Sequence, residues 1–194
     1  SYVQSLAINS QGQIFAGTKR GIFQSKNGGE SWTAVNIGLT DTTNVHSLAI
    51  NSDGNIFAGT GDAGIFRSKN NGDSWRPVNT GLTNTDVRTL AINSRGHIWA
   101  GTDGGGIFLS TNNGNSWTAV NKGLTNSYVQ SLAINSRGQI FAGTKGGVFQ
   151  SNNDGESWAA VNTGLTNTDV QTLAINSRGH VFAGTLGGGV FKSQ

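Results

Sequence analysis

Few residues in this 194-residue chain could do chemistry. Asp62, Asp86 and Asp103 recur near one another in successive stretches, and two facing carboxylates are all that retaining or inverting glycoside hydrolysis requires. His46 stands where the other units have Gln or Arg, which fits a substitution at that position better than a catalytic base. Other chemistries drop out. With no cysteine there is no thiol nucleophile, thiolate metal site or disulfide. His46, His97 and His180 stand far apart without paired spacing, so neither a metal nor a cofactor is expected. The charge balance, 13 basic against 10 acidic residues, is a mild bias. Arg95, Arg137 and Arg178 sit in Asn-Ser-Arg-Gly turns with His97 and His180 two residues after the first and last, but the first two units place Gln11 and Asp53 there. No exposed aromatic is interleaved for base stacking, so nucleic acid is not expected as a partner. No apolar run approaches the roughly 20 residues of a membrane-spanning helix, and no membrane partner is expected.

Whether the acids can meet depends on what carries them. Val3, Val45, Val87, Val129 and Val170 recur every 41 or 42 residues, a period that signals stacked repeats. Within the first unit, Val3 to Ile8 and Gln13 to Thr18 read as strands on either side of an Asn-Ser-Gln-Gly turn. Ile22 to Ser25 and Trp32 to Asn36 read as a third and a fourth. Connections this short permit only antiparallel neighbours. The inner strands are apolar with little alternation, so both of their faces need cover. A four-stranded meander of that kind, repeated at about 40 residues, is satisfied by radial stacking into an all-β propeller.

Between the third and fourth strands stands Ser-x-Asn-x-Gly-x-Ser-Trp, as Ser25/Asn27/Gly29/Trp32, Ser68/Asn70/Gly72/Trp75, Ser110/Asn112/Gly114/Trp117 and Ser151/Asn153/Gly155/Trp158. A short polar side chain that bonds its own backbone, then a glycine, specifies a tight turn. The aromatic after it supplies an anchor that stabilises by roughly 2–3 kcal/mol when buried. The pattern resembles the Asp-box, or BNR repeat, of β-propellers of the sialidase, sortilin and photosystem-assembly-factor type. The family's Asp is Asn in all four copies. An amide still makes the turn bonds, whereas a cation-holding role for these loops loses its charge. The resemblance favours a secreted or periplasmic setting.

The resulting expectation is one domain over residues 1–194, with blades at 1–43, 44–85, 86–127, 128–168 and 169–194. The fifth lacks its outer strand, leaving an edge near Val190 to Lys192 that could pair with a second copy. Either the five blades close into a ring with one short blade, or they form part of a larger ring. Near-identity of the units fits recent duplication, or an excised or engineered array.

In a meander, the turns between second and third strands and the loops between units lie at one end. That end carries Lys19, Asp62, Asp103 and Lys145, with Gln4, His46, Arg88, Gln130 and Gln171 at the start of each innermost strand. These positions vary most among otherwise similar units, as a binding face can. A sialidase would need a Tyr nucleophile beside a Glu, yet Glu30 and Glu156 fall in turns at the end opposite Tyr2 and Tyr128. The expectation is therefore a non-catalytic binding or scaffold module with a glycan or protein ligand and no catalytic residues. The alternative is a glycoside hydrolase using Asp62 and Asp103.

Overall fold

The computed structural model describes residues 2–40 and 44–193. In the first blade, β1 (Val3–Ile8), β2 (Ile14–Thr18), β3 (Gly21–Ser25) and β4 (Thr33–Ala34) pair antiparallel in sequence order. The second blade repeats this with β5 (Val45–Ile50), β6 (Ile56–Thr60), β7 (Ile65–Ser68) and β8 (Arg76–Pro77). The third is β9 (Val87–Ile92), β10 (Ile98–Thr102), β11 (Gly106–Ser110) and β12 (Thr118–Ala119). The fourth is β13 (Val129–Ile134), β14 (Ile140–Thr144), β15 (Gly147–Ser151) and β16 (Ala159–Ala160). The fifth has three strands, β17 (Val170–Ile175), β18 (Val181–Thr185) and β19 (Gly189–Lys192). There are no helices among the described residues.

The core lies between blades, because a single sheet offers too little apolar surface to sustain itself. Phe15 and Ile22 of the first blade pack with Val45, Ile56 and Trp75 of the second, and three further clusters repeat this at the other seams. The central strands β6, β10 and β14 are buried along their whole length. Glycine sets the close approach: a Cβ added at Gly59 would stand 2.7 Å from Val87 Cγ1, so only glycine lets the next blade's valine seat.

The first and last blades leave their outward faces open. Leu6 and Ile8 are 62% and 65% exposed, whereas Leu48 and Leu90, the counterparts of Leu6, are each 8% exposed. Val190 on β19 is 74% exposed. The described residues thus form an arc of five blades whose two terminal faces do not cover each other.

Two expectations need correction. The fourth strand was expected from Trp to Asn but spans only two residues, such as Arg76–Pro77. The Trp75 amide bonds Ile37 O in the preceding blade (2.8 Å), and Asn79 bonds through its side chain, Oδ1 accepting from Ile65 N (2.7 Å). Burial of the repeated tryptophan also fails once. Trp75, Trp117 and Trp158 are buried, but Trp32 is 42% exposed, since among the described residues no earlier blade packs against it.

Candidate ligand-binding face

The first strand of every blade changes register at one residue. On β1, Val3 pairs with Thr18 and Ser5 with Gly17, which leaves Gln4 as the extra residue of a β-bulge. The same shift places His46, Arg88, Gln130 and Gln171 on bulges in the other four blades. A bulged residue has no partner on the neighbouring strand and its side chain is re-aimed. This gives a physical reason for the variability of these five positions: ladder geometry does not hold them to one residue type.

Backbone bonds bring the turn residues to the same end. Lys19, Asp103, Lys145 and Leu186 donate their amides to the carbonyls of Tyr2, Asp86, Tyr128 and Asp169. Asparagines at the unit junctions brace this rim. Asn84 Oδ1 accepts from Asp86 N (3.0 Å) while its Nδ2 donates to Asp103 O (3.2 Å), and Asn167 does the same for Asp169 and Leu186. These asparagines were not singled out in the sequence, though Asn84, Asn126 and Asn167 stand three residues before the repeat valine and could have been.

The side chains then join from blade to blade. Gln4 Nε2 donates to Asn44 Oδ1, and Gln4 Oε1 lies 2.9 Å from His46 Nδ1. His46 Nε2 is 3.4 Å from Asn44 Nδ2. This network assigns the neutral tautomer with the proton on Nδ1, donating to Gln4. Burial pushes the His46 pKa below its usual value of 6.5, and the nearby Arg88 charge adds to this, while Asp86, Asp103 and Asp62 act in the opposite sense. Arg88 Nη2 sits 2.8 Å from both Asp86 Oδ2 and Asp103 Oδ2. Lys145 Nζ lies 3.9 Å from Asp103 Oδ1 and 4.3 Å from the centre of the Tyr128 ring. At the ends of the arc, Lys19 stands over Tyr2 at 5.0 Å, and Gln171 donates to Asp169 (2.6 Å). Arg88 Nε and Asp86 Oδ1 are buried and lack a hydrogen-bond partner among the described residues.

Not every predicted residue enters this network. Asp62 is exposed and reaches it only through its effect on His46, and Gln130 has no side-chain partner in it. A cavity of 630 Å³ lies elsewhere, between the fourth and fifth blades, and no residue of this face lines it. At the opposite end Arg95 is spent on Asp154 of the next blade (3.3 Å).

The Ser-x-Asn-x-Gly turns stand at that opposite end too, and they satisfy themselves. Asn70 Oδ1 accepts from Ser74 N (3.0 Å) and Asn70 Nδ2 donates to Ser74 Oγ (2.9 Å). Asn27, Asn112 and Asn153 make the same pair of bonds to Ser31, Ser116 and Ser157, so these exposed amides are occupied within their own turns. An aspartate could keep the second contact only by accepting from the serine hydroxyl, whereas the amide donates to it. The serine that opens each turn closes it as well: Ser25, Ser68, Ser110 and Ser151 each accept at Oγ from the amide of Gly29, Gly72, Gly114 or Gly155, all at 2.9 Å.

The four glycines differ in what surrounds them. Each has a positive φ, as the turn requires, but a Cβ at Gly72, Gly114 or Gly155 would also press on Phe15, Phe57 or Trp99 of the preceding blade, at 3.0–3.1 Å. Nothing lies within 4 Å of that position at Gly29. The motif therefore has a second role that its sequence does not announce, that of a close contact between blades, and the first copy lacks it. Among the described residues no three acidic or histidine side chains gather to hold a metal.

The architecture has relatives. The sequence profile of the DUF6242 beta propeller domain matches residues 3–129, more than half of the chain. The chain belongs to this family. Among curated proteins the sequence finds no match. Solved structures share the DUF6242 domain's fold. The extracellular domain of the one-component system BT4673 from B. thetaiotaomicron superposes with a TM-score of 0.83 at 19% identity, over 100% of this chain and 27% of that one. A GH74 xyloglucanase from Xanthomonas campestris gives 0.80 at 17% identity, over 97% and 36%. YCF48 bound to D1 peptide gives 0.76 at 14% identity, over 99% and 65%. At such identities the likeness is one of fold, and the DUF6242 chain spans less than two thirds of each of these proteins.

Proposed function

We propose that this is an Asp-box type of propeller that acts as a non-catalytic binding or scaffold module, recognising a glycan or a protein segment at the rim formed by the five bulges. The observation that carries this reading is that one residue per blade, Gln4, His46, Arg88, Gln130 and Gln171, escapes the ladder at the same end and differs around the arc. A neighbour of this fold, YCF48, is described bound to a peptide, which supports a protein ligand by analogy of fold alone.

The hydrolase alternative draws support from the GH74 neighbours. It has less from the geometry, because Asp103 is taken up by Arg88 and Lys145, while Asp62 lies out on the surface. A glycan array and a protein pull-down, each run with the native chain and with Arg88→Gln, test the binding reading. Binding weakened about tenfold in the variant supports it, in line with the loss of one well-placed charged contact. Silence in both assays removes it, and turnover of chromogenic glycosides abolished by Asp62→Asn or Asp103→Asn replaces it with the hydrolase.

A further inference from the structure

Three side chains at the seam between the first and second blades close on one another. Gln4 Nε2 donates to Asn44 Oδ1, Asn44 Nδ2 reaches His46 Nε2 at 3.4 Å, and His46 Nδ1–H gives to Gln4 Oε1 at 2.9 Å, so each side chain gives one bond and takes one. Elsewhere on the rim the bulge side chains that bond do so inside their own blade, Arg88 to Asp86 and Asp103, and Gln171 to Asp169. The cycle is therefore also a tie from β1 to β5. Its place is kept clear. A Cβ at Gly61 would stand 2.8 Å from His46 Nε2, and this blade alone has glycine there, where the others carry Lys19, Asp103, Lys145 and Leu186.

A cycle of this kind closes only while every member both donates and accepts. Glutamine and asparagine always do both, and neutral histidine does, but imidazolium donates at both nitrogens and accepts at neither. Turning both amides and moving the proton to Nε2 reverses the sense of the cycle, and that form closes as well, so the conclusion does not depend on the tautomer. With a second proton on His46 neither form closes. Both amide oxygens then turn to the imidazolium, and the amide nitrogens of Gln4 and Asn44 are left facing each other, donor against donor. Of the three contacts, the one between Gln4 and Asn44 has to part. Gln4 is exposed, so its side chain is free to swing into water.

We infer that Gln4, Asn44 and His46 form a proton-operated latch, which ties the first blade to the second across the rim at neutral pH and lets go in acid. The surroundings set how readily it opens. Burial of the imidazole opposes its charge most, and the Arg88 guanidinium of the third blade next, while Asp86 and Asp103 of the third blade and Asp62 of the second act the other way. The first blade brings Gln4, which carries no charge. His46 therefore stays neutral, and the latch shut, until the pH falls below 6.5. Opening presents two amide donors and a cation at a corner of the rim where the same groups otherwise satisfy one another. The latch goes beyond the proposed function and does not need it, since it operates without a ligand, and its failure leaves the binding reading where it stood.

NMR of the isotope-labelled 194-residue chain, from about pH 8 to about pH 5, follows the His46 ring and the side-chain amides of Gln4 and Asn44 together. Nuclear Overhauser contacts between the Gln4 and Asn44 side chains are expected to be lost at the midpoint where the His46 ring titrates, while those between β1 and β2 persist. Sensing of the new charge alone moves chemical shifts but leaves the contacts in place. His46→Gln keeps a side chain that both gives and takes, so in that variant the contacts should last across the whole range. Contacts that survive the His46 titration in the native chain overturn the inference. So does a loss that persists in His46→Gln, which would assign the proton to an aspartate, and so does a loss that comes only together with the contacts between β1 and β2, which would report unfolding.

Discussion

The amide of Leu90 donates to Oγ of Ser47 at 3.0 Å, across the seam between the second and third blades. The bond recurs from Leu48 to Ser5, Leu132 to Thr89 and Leu173 to Ser131, so a hydroxyl on each innermost strand satisfies an amide of the next blade. Thr172 occupies the same place in the fifth blade, with no further blade among the described residues to bond. Ser47→Ala leaves a nearly buried amide unpaired and is expected to cost about 1–2 kcal/mol. Thr172→Ala should cost a few tenths at most. Urea unfolding of the two variants side by side measures the difference.

The tryptophans should divide in the same way. Trp75→Ala empties a packed seam and removes the bond to Val35, and a loss of about 3–5 kcal/mol is expected. Among the described residues Trp32 bonds only its own turn, at Gly29 O (3.1 Å), and is 42% exposed, so Trp32→Ala should cost about 1 kcal/mol. Equal losses in chemical denaturation would contradict the arc of five blades.

His46 should titrate below 6.5 in the folded chain. A lowered folded pKa means that the unfolded chain takes up the proton first, so stability falls as pH drops from 6.5 through the folded value and is unaffected above it. Burial is the larger cause and the Arg88 charge the next. In Arg88→Gln the midpoint should therefore rise, helped by Asp86 and Asp103, which lose their cation. Ring-proton shifts followed by NMR against pH check both statements; an unchanged midpoint in the variant would show that the charge has no part in it.

Arg67 is 1% exposed in the seam between the second and third blades. Its Nη1 donates to Asn113 O and to Asn115 Oδ1 (3.1 Å), while Nε and Nη2 have no hydrogen-bond partner and no carboxylate pairs with it among the described residues. A buried cation so poorly compensated is dispensable for stability. Arg67→Leu, the residue type that the third blade carries at Leu109, should raise stability by about 1 kcal/mol. A lower midpoint in thermal or urea unfolding would show that the guanidinium contributes more than its visible bonds.

Much of this was legible in the residues. The return of the repeat valines gave the blades, the apolar runs gave the meander, and Ser-x-Asn-x-Gly marked the turn between third and fourth strands in four blades, because strand alternation and turn chemistry act within a few residues. The variable positions at one end could be named as well, from Gln4 to Gln171. Their bulges could not, since a register shift depends on the pairing of two strands and leaves no mark on either alone.

What docking decided lies about 40 residues apart in the chain. Turns of one pattern hold Trp75 and Trp32, yet one is buried and the other half-exposed, because the indole packs on the preceding blade rather than its own. Gly72 and Gly29 part company in the same way, one against Phe15 and the other in the open. Ser47 meets Leu90, Gln4 meets His46, and the cavity beside Val161 opens for the same reason. Local sequence sets the shape of each small sheet, but the free energy that holds it comes from apolar surface it shares with its neighbours. Position along the arc, which no single repeat encodes, therefore determines which groups are satisfied and which are left to bind something else.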